Sequence, residues 1–343
     1  MDVQYFLGAN SAEGFFSHYD QLLPAKNRRL TRILKGGPGS GKSTLMKKVA
    51  ARAEQLELRT ERIPCSSDPD SLDGIVIPEL GYAVVDGTAP HIVEPQLCGS
   101  GEAYLDLGAG YRLDALQSCR HALREIQQAG RACYPKATAC LKAAAALEPL
   151  ISGTASLTPS LAASICQKEI PDRTGTASLR TVFLSGHTPK GRLACWDTVA
   201  ALCSRVYVLQ DSAGAVNSFL RAIAKTASAR GWACLIGDSP LQPGLFWEHL
   251  LIPDLELAFV SSSPLSLYPG RDGIALGQWS GDAPMYAMQQ ALIDEAISHL
   301  RRAKEFHDLL ESVYFPCVDF SVADRAALDC CAELELLLDR EKR

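Results

Sequence analysis

The segment Gly36-Gly37-Pro38-Gly39-Ser40-Gly41-Lys42-Ser43-Thr44 contains the pattern G-x-x-x-x-G-K-[ST]. Each residue type stands where holding a phosphate chain requires it. Glycines let the backbone curl so that successive N–H groups point at one anion. A helix starting near Lys42 adds unpaired N–H groups and the positive end of its dipole. Dipole contacts contribute only ~0.3–2 kcal/mol each. Lys42 is therefore expected to make the strong contact to the β and γ phosphates, and the Ser43 hydroxyl to ligand Mg²⁺. The chemistry also needs an acid at the end of an apolar strand, and Tyr82-Ala-Val-Val-Asp86 supplies one. Asp86 is read as the acid that reaches the metal. Gly87 follows it where many motor ATPases place Glu, which argues for slow or regulated hydrolysis. No Asn-Lys-x-Asp segment is present to select guanine, so ATP is the expected nucleotide.

Other groups compete for the reacting end of the phosphate. Asp68, in Cys65-Ser-Ser-Asp68-Pro-Asp70-Ser-Leu-Asp73, follows a second strand, and the carboxyl ends of parallel strands face the ligand crevice. It would orient water or activate an acceptor hydroxyl. The plainer reading of this segment is a solvated turn with an Asp/Ser helix cap, and Asp70 and Asp73 are less well placed than Asp68. His91, in Gly87-Thr-Ala-Pro-His91, is a candidate to sense the γ-phosphate or position water, against a simple turn role. Glu79 reads as structural. A calcium loop counted from Asp68 fails, because Leu72 and Asp73 fall where a ligand and a glycine are needed. His307-Asp308 lacks further metal ligands beyond His299. Cys330-Cys331 reads as helix packing, and Arg112, Arg120 and Arg124 as a solvated helix face rather than an arginine finger.

These groups need strands and helices to hold them. Arg32–Lys35, Leu58–Cys65 and Tyr82–Asp86 read as strands, with Tyr104–Leu107 as a further candidate. Lys42–Leu56 reads as a helix, and Tyr111–Ile151 as helical, split at Pro135. Met285–Tyr314 and Ser321–Lys342 read as helices near the other end. A repeat underlies this order. Phe6-Leu7 through Gly14 returns as Phe183-Leu184 through Gly191, and Leu107-Gly108 as Leu276-Gly277. At a shift of 175 residues Leu34, Gly39, Ser43 and Leu45 fall on Leu209, Gly214, Ser218 and Leu220, and Ile77-Pro-Glu-Leu80 on Ile252-Pro-Asp-Leu255. The same shift turns Gly36, Gly41 and Lys42 into Asp211, Val216 and Asn217, and Asp86 into Ser261, so one half keeps the chemistry and the other has lost it.

The expected organisation is α/β: two tandem three-layer α/β/α domains, each with a helical appendage. They span 1–175, with a helical insert at about 111–151, and 176–343, with C-terminal helices. A Ser/Thr/Gly/Pro-rich linker around one short helix would join them from Ser152 to Ser178. The 343 residues suit two domains. With 47% hydrophobic and 21% charged residues, disorder, collagen and coiled coil are excluded. The formal net charge of −5 argues against a nucleic-acid surface. The N-terminal residues lack the cationic and apolar regions of a secretory signal, and no apolar run suits a membrane helix. The 12 cysteines, with no Cys-x-x-Cys, read as reduced and mostly buried, and the expected location is the cytoplasm.

GGPGSGKSTLMKK, CSSDPDSLDG, the IPEL block and VVDGTAPH, set in tandem halves, resemble a bacterial family of double P-loop proteins identified as ATPases or nucleotide kinases. That resemblance covers nearly the whole chain and implies a P-loop NTPase fold in both halves. Members usually keep a second glycine-rich loop with Lys, and this chain departs there. Three functions stand as expectations. The first is slow or regulated hydrolysis of Mg·ATP at one site. The second is phosphoryl transfer to a nucleotide or other small molecule, with Asp68 as base. The third is nucleotide-gated binding of a protein partner, or of a second copy, through the helical appendages.

Overall fold

The computed structural model describes residues 3–24, 27–151, 153–262, 267–270 and 272–342. Ser152, where the expected linker begins, and Met1 and Asp2 of the N-terminal segment lie outside the described residues. The first sheet contains β1 (Val3–Gln4), β4 (Leu30–Lys35), β5 (Glu61–Cys65), β6 (Asp68–Ile77), β7 (Tyr82–Asp86) and β8 (Glu102–Asp106), in the order β1-β5-β6-β7-β4-β8. The second contains β9 (Leu179–Val182), β12 (Arg205–Leu209), β13 (Cys234–Asp238), β14 (Trp247–Ile252), β15 (Leu257–Ser261) and β16 (Ile274–Leu276), in the order β9-β13-β14-β15-β12-β16. Within these two sheets only β6 and β14 run antiparallel to their neighbours.

The two orders are the same, strand for strand, and so is the register at the centre. Leu30 pairs with Tyr82 and Leu34 with Asp86, as Arg205 pairs with Leu257 and Leu209 with Ser261. A 3-10 turn at Pro78–Leu80 recurs at Pro253–Leu255. Two small hairpins, β2 (Gly8–Ser11) with β3 (Gly14–Ser17) and β10 (Ser185–Thr188) with β11 (Gly191–Ala194), match in the same way. Where the halves meet, Phe6 and Phe183 exchange both backbone hydrogen bonds at 2.9 Å. Equivalent residues meeting in this way mark a local two-fold axis.

Each sheet buries one face under helices. On the first, Leu34, Ile75, Ile77 and Val84 pack with Leu45, Met46, Val49 and Ala53 of α1 (Lys42–Gln55), whose apolar residues share one helical face. On the second, Leu209, Ile236, Leu250 and Phe259 pack with Phe219, Leu220 and Ile223 of α7 (Ala213–Ala229). The other faces do not carry separate helical layers. Ile33, Val76 and Val85 of one sheet and Val206, Val208, Leu251 and Val260 of the other belong to one common core, joined by Val199 of α6 (Trp196–Leu202). The expected α/β organisation is present, as two six-stranded, mostly parallel sheets flanked by helices; where three layers were expected in each half, much of the second side of each sheet is covered by the other half.

The remaining helices are α2 (Leu113–Ser118), α3 (Arg120–Arg131), α4 (Cys133–Ile151), α5 (Pro159–Glu169), α8 (Ala283–Tyr314) and α9 (Ser321–Glu341). The first helical stretch breaks at Cys119 and Ala132 instead of at Pro135, because Pro135 sits in the first turn of α4, where its missing N–H costs nothing. α4 and α8 pack antiparallel along a seam of small residues, Ala137, Ala144 and Ala145 against Ile293, Ala296 and Leu300. Asp282 N–H donates to Ile151 C=O, and Gln289 donates to Ala144 C=O.

Beyond this pair the halves trade helices. α9 lays Ala323, Ala327, Cys330 and Leu334 on α1 of the first half. α5 lays Ala162, Ile165 and Cys166 on α7 of the second. The segment read as a linker therefore carries a core helix of the second half. Among the described residues no helix is long and apolar enough to cross a membrane.

Candidate functional site

β4 and β7 run side by side at the centre of the first sheet, so Lys35 and Asp86 emerge at the same edge. The chain leaves β4 through Gly36–Gly41 and enters α1 at Lys42. Two positions need glycine: Gly39 and Gly41 have φ of +68° and +90°, in the left-handed region. Gly41 also precedes α1 without any side-chain cap, so the first amides of the helix are left for another acceptor.

The Lys42 ammonium curls back over this loop. It donates to Gly36 C=O at 2.6 Å and Gly37 C=O at 2.9 Å, and stands 3.6 Å from Asp86 Oδ2. Asp86 Oδ1 accepts from the Thr88 amide at 2.8 Å and the Thr88 hydroxyl at 2.7 Å, which fixes the carboxylate plane. Ser43 Oγ accepts from the Leu72 amide at 3.0 Å. A hydroxyl and a carboxylate beside this glycine-rich loop form a hard oxygen donor set of the kind Mg²⁺ prefers. Asp86 Oδ2, which faces Lys42, is the oxygen left for an ion.

The sequence favours Asp68 over Asp73, and the structure arranges them otherwise. The segment read as a turn with a helix cap is a β-hairpin, and both residues lie on β6. Asp68 accepts from Ser71 Oγ at 2.7 Å and lies 3.6 Å from Lys304 Nζ of α8. Asp70 is exposed and pairs with Lys190, which lowers its pKa. Asp73 is buried and meets His91 and Asp86. Its Oδ2 accepts from Tyr19 Oη at 3.1 Å. Burial pushes the Asp73 carboxyl up; His91 opposes the shift and the charge of Asp86 reinforces it.

His91 is itself buried, stacked on Tyr19 with ring centroids 4.6 Å apart, and neither ring nitrogen makes a hydrogen bond. Nδ1 stands 4.0 Å from Asp73 Oδ2 and Nε2 stands 4.0 Å from Asp86 Oδ1. One ligand atom from each of Asp73, Asp86 and His91 lies within 4.8 Å of the other two, close enough for the buried trio to hold a metal ion. His91 thus stands between the two carboxylates, with Nδ1 toward Asp73 and Nε2 toward the end of β7, beyond hydrogen-bond distance of either.

α8 brings a further group from the second half, one that no local sequence pattern connects with the loop. Glu311 Oε1 accepts from the Gly39 amide at 3.2 Å, so a carboxylate occupies one of the N–H groups of the glycine-rich loop. His307, 3.5 Å away on the preceding turn, holds Glu311 below the usual carboxylate range. Tyr111 Oη donates to Pro38 C=O at 3.2 Å and packs near Tyr314. His299 and Asp308 serve ordinary helix-surface pairs with Glu295 and Lys304.

In the second half, helix replaces the equivalent loop. α7 begins at Ala213, which corresponds to Pro38, so helix runs through the positions that curl in the first half. Asp211 points away from any anion: its Oδ2 accepts from the Ser156 amide, the Ser156 hydroxyl and the Leu157 amide at 2.6–2.9 Å. Burial alone would raise its pKa, but the Leu157 amide and Ser156 outweigh that and hold it low. Asn217, in place of Lys42, accepts from the Trp247 amide at 3.0 Å. No family model matches the chain, and neither does any curated protein or solved structure. Function therefore rests on the site itself.

Proposed function

We propose that this chain is a cytoplasmic P-loop NTPase of the double P-loop kind that binds one Mg·ATP in its first half and hydrolyses it slowly. The observation that carries the reading is the uncapped start of α1, preceded by two left-handed glycines and flanked by Lys42 and Asp86. Loop amides and Lys42 hold the phosphates. Ser43 and Asp86 would hold Mg²⁺, which supplies charge neutralisation at the β and γ phosphates. His91 takes the proton of the attacking water at Nε2, and Asp73 orients the ring from Nδ1.

Slow turnover is supported by Glu311 on Gly39, since a nucleotide must displace it. The same contact favours a second reading, in which nucleotide entry is relayed through α8 to a protein partner. Titration calorimetry with Mg·ATP should give one nucleotide per chain, and Lys42→Ala should weaken it about 30-fold or more. Two nucleotides per chain, or unchanged affinity in Lys42→Ala, would overturn the assignment. Phosphate release in the absence of any acceptor separates hydrolysis from transfer through Asp68, and binding without release favours the gating reading.

A further inference from the structure

A cavity of about 260 Å³ opens beside the start of α1, between Gly41, Thr44 and Lys48 on one side and the turn from α8 to α9 on the other. Its far wall is Phe315 and Phe320, with ring centroids 5.0 Å apart and planes at 46°. Phe315 is 65% exposed, so its ring is open to a ligand entering the cavity. At the rim, Lys48 Nζ and an Asp324 carboxylate oxygen pair at 2.6 Å, which leaves donors and acceptors facing solvent. The floor is close to the loop backbone: a Cβ on Gly41 would stand 3.1 Å from Ala323 Cβ.

We propose that this cavity is the subsite for the purine base of the nucleotide, with Phe315 as its stacking platform; the proposal rests on the Mg·ATP reading of the loop. Loop and cavity are continuous. A phosphate chain held by Gly39–Ser43 and running along the uncapped amides of α1 leaves the loop at Gly41–Thr44, where the cavity begins. Beyond its phosphates a nucleotide carries a sugar and a flat, polar-edged ring. An exposed aromatic wall gives the ring a face to stack on, and the Lys48–Asp324 pair offers both a donor and an acceptor to its edge. Purines present more ring area than pyrimidines, so stacking favours them. The site is then built from both halves: the first grips phosphate, and the last helices of the second grip the base.

The test is a set of titrations of wild type, Phe315→Ala, Phe315→Trp and Phe315→Ala/Phe320→Ala. The probes are Mg²⁺ complexes of ATP, GTP, CTP and inorganic tripolyphosphate. Wild type should bind ATP and GTP more tightly than CTP, and all three more tightly than tripolyphosphate. Phe315→Ala should weaken ATP and GTP by roughly tenfold, leave tripolyphosphate unchanged, and be rescued by Phe315→Trp. If tripolyphosphate and ATP bind wild type equally, or ATP affinity survives both alanine variants, the base subsite is wrong while the phosphate loop stands. If neither ATP nor tripolyphosphate binds wild type, the loop reading fails and the subsite falls with it.

Discussion

Replacing Glu311 by Gln should make nucleotide binding tighter. The wild-type carboxylate accepts from the Gly39 amide at 3.2 Å, and His307 favours its charged form, so on the proposed reading it would compete with a phosphate oxygen for one donor of the loop. A hydrogen bond to a charged acceptor contributes about 1.5–3 kcal/mol. Glu311 is 43% exposed, and solvent reduces that figure. A change of rotamer would free the amide without moving α8. Gln keeps the shape and a carbonyl acceptor but removes the negative charge, which would otherwise also repel the incoming triphosphate. Together these give a gain of about 1–2 kcal/mol, or roughly 5–30-fold in affinity. The assay is titration of a fluorescent Mg·ATP analogue into both proteins at low and high salt, and the gain should shrink as salt screens the charge. Equal affinities at low salt, or weaker binding by Glu311→Gln, would show that Glu311 does not compete with phosphate.

Two further outcomes concern buried histidines. His91→Gln should lower phosphate release at saturating Mg·ATP by about 10²–10⁴-fold while leaving nucleotide affinity near wild type. Asp73→Asn should lower release less and displace its pH profile; a release rate unaffected by either change would remove the pair from the reaction. His187 and His249 are fully enclosed, and burial depresses both to about 4 from an ordinary 6.5. Depressed values mean that the unfolded chain takes up protons first. Stability is thus complete above about pH 6.5 and lost as pH falls toward 4, by about 1.4 kcal/mol per pH unit for each ring. Urea unfolding should show about 4 kcal/mol less stability at pH 5 than at pH 7, with His249→Gln flattening the profile; a flat wild-type profile would contradict this.

The loop and β7 were legible because their backbone tasks leave few choices. Only glycine takes the left-handed φ at positions 39 and 41 cheaply, and a strand buried on both faces must be apolar throughout, as Tyr82–Val85 is. Asp73 was obscured by composition. Ser, Pro and Asp suggest a turn, but pairing of β6 with β5 and β7 overrides that preference and carries the carboxylate inward. The amphipathic pattern of α5 and α9 says that one face is buried without saying against what. Their exchange between halves, and with it the arrival of Glu311 and Phe315 at a loop far earlier in the chain, is a tertiary fact with no local signal.

That exchange also explains how the two copies differ in kind. In each half a segment continuous with the long α4–α8 pair reaches the start of the central helix and is fastened there: the loop after α4 in the second half, and the last turns of α8 in the first. In the second half the fastening is a carboxylate in the loop, Asp211, taking two amides and a hydroxyl from the incoming segment. In the first half the polarity is reversed: the loop offers the Gly39 amide, and the incoming helix brings the carboxylate of Glu311. Several charge-assisted bonds with little solvent access hold the second junction shut. A single bond to a half-exposed carboxylate leaves the first one openable, and a phosphate is the natural competitor for that amide. On the proposed reading, the copy without the glycine-rich loop carries the tighter junction, and α8 and α9 of that half would govern how the first half admits a nucleotide.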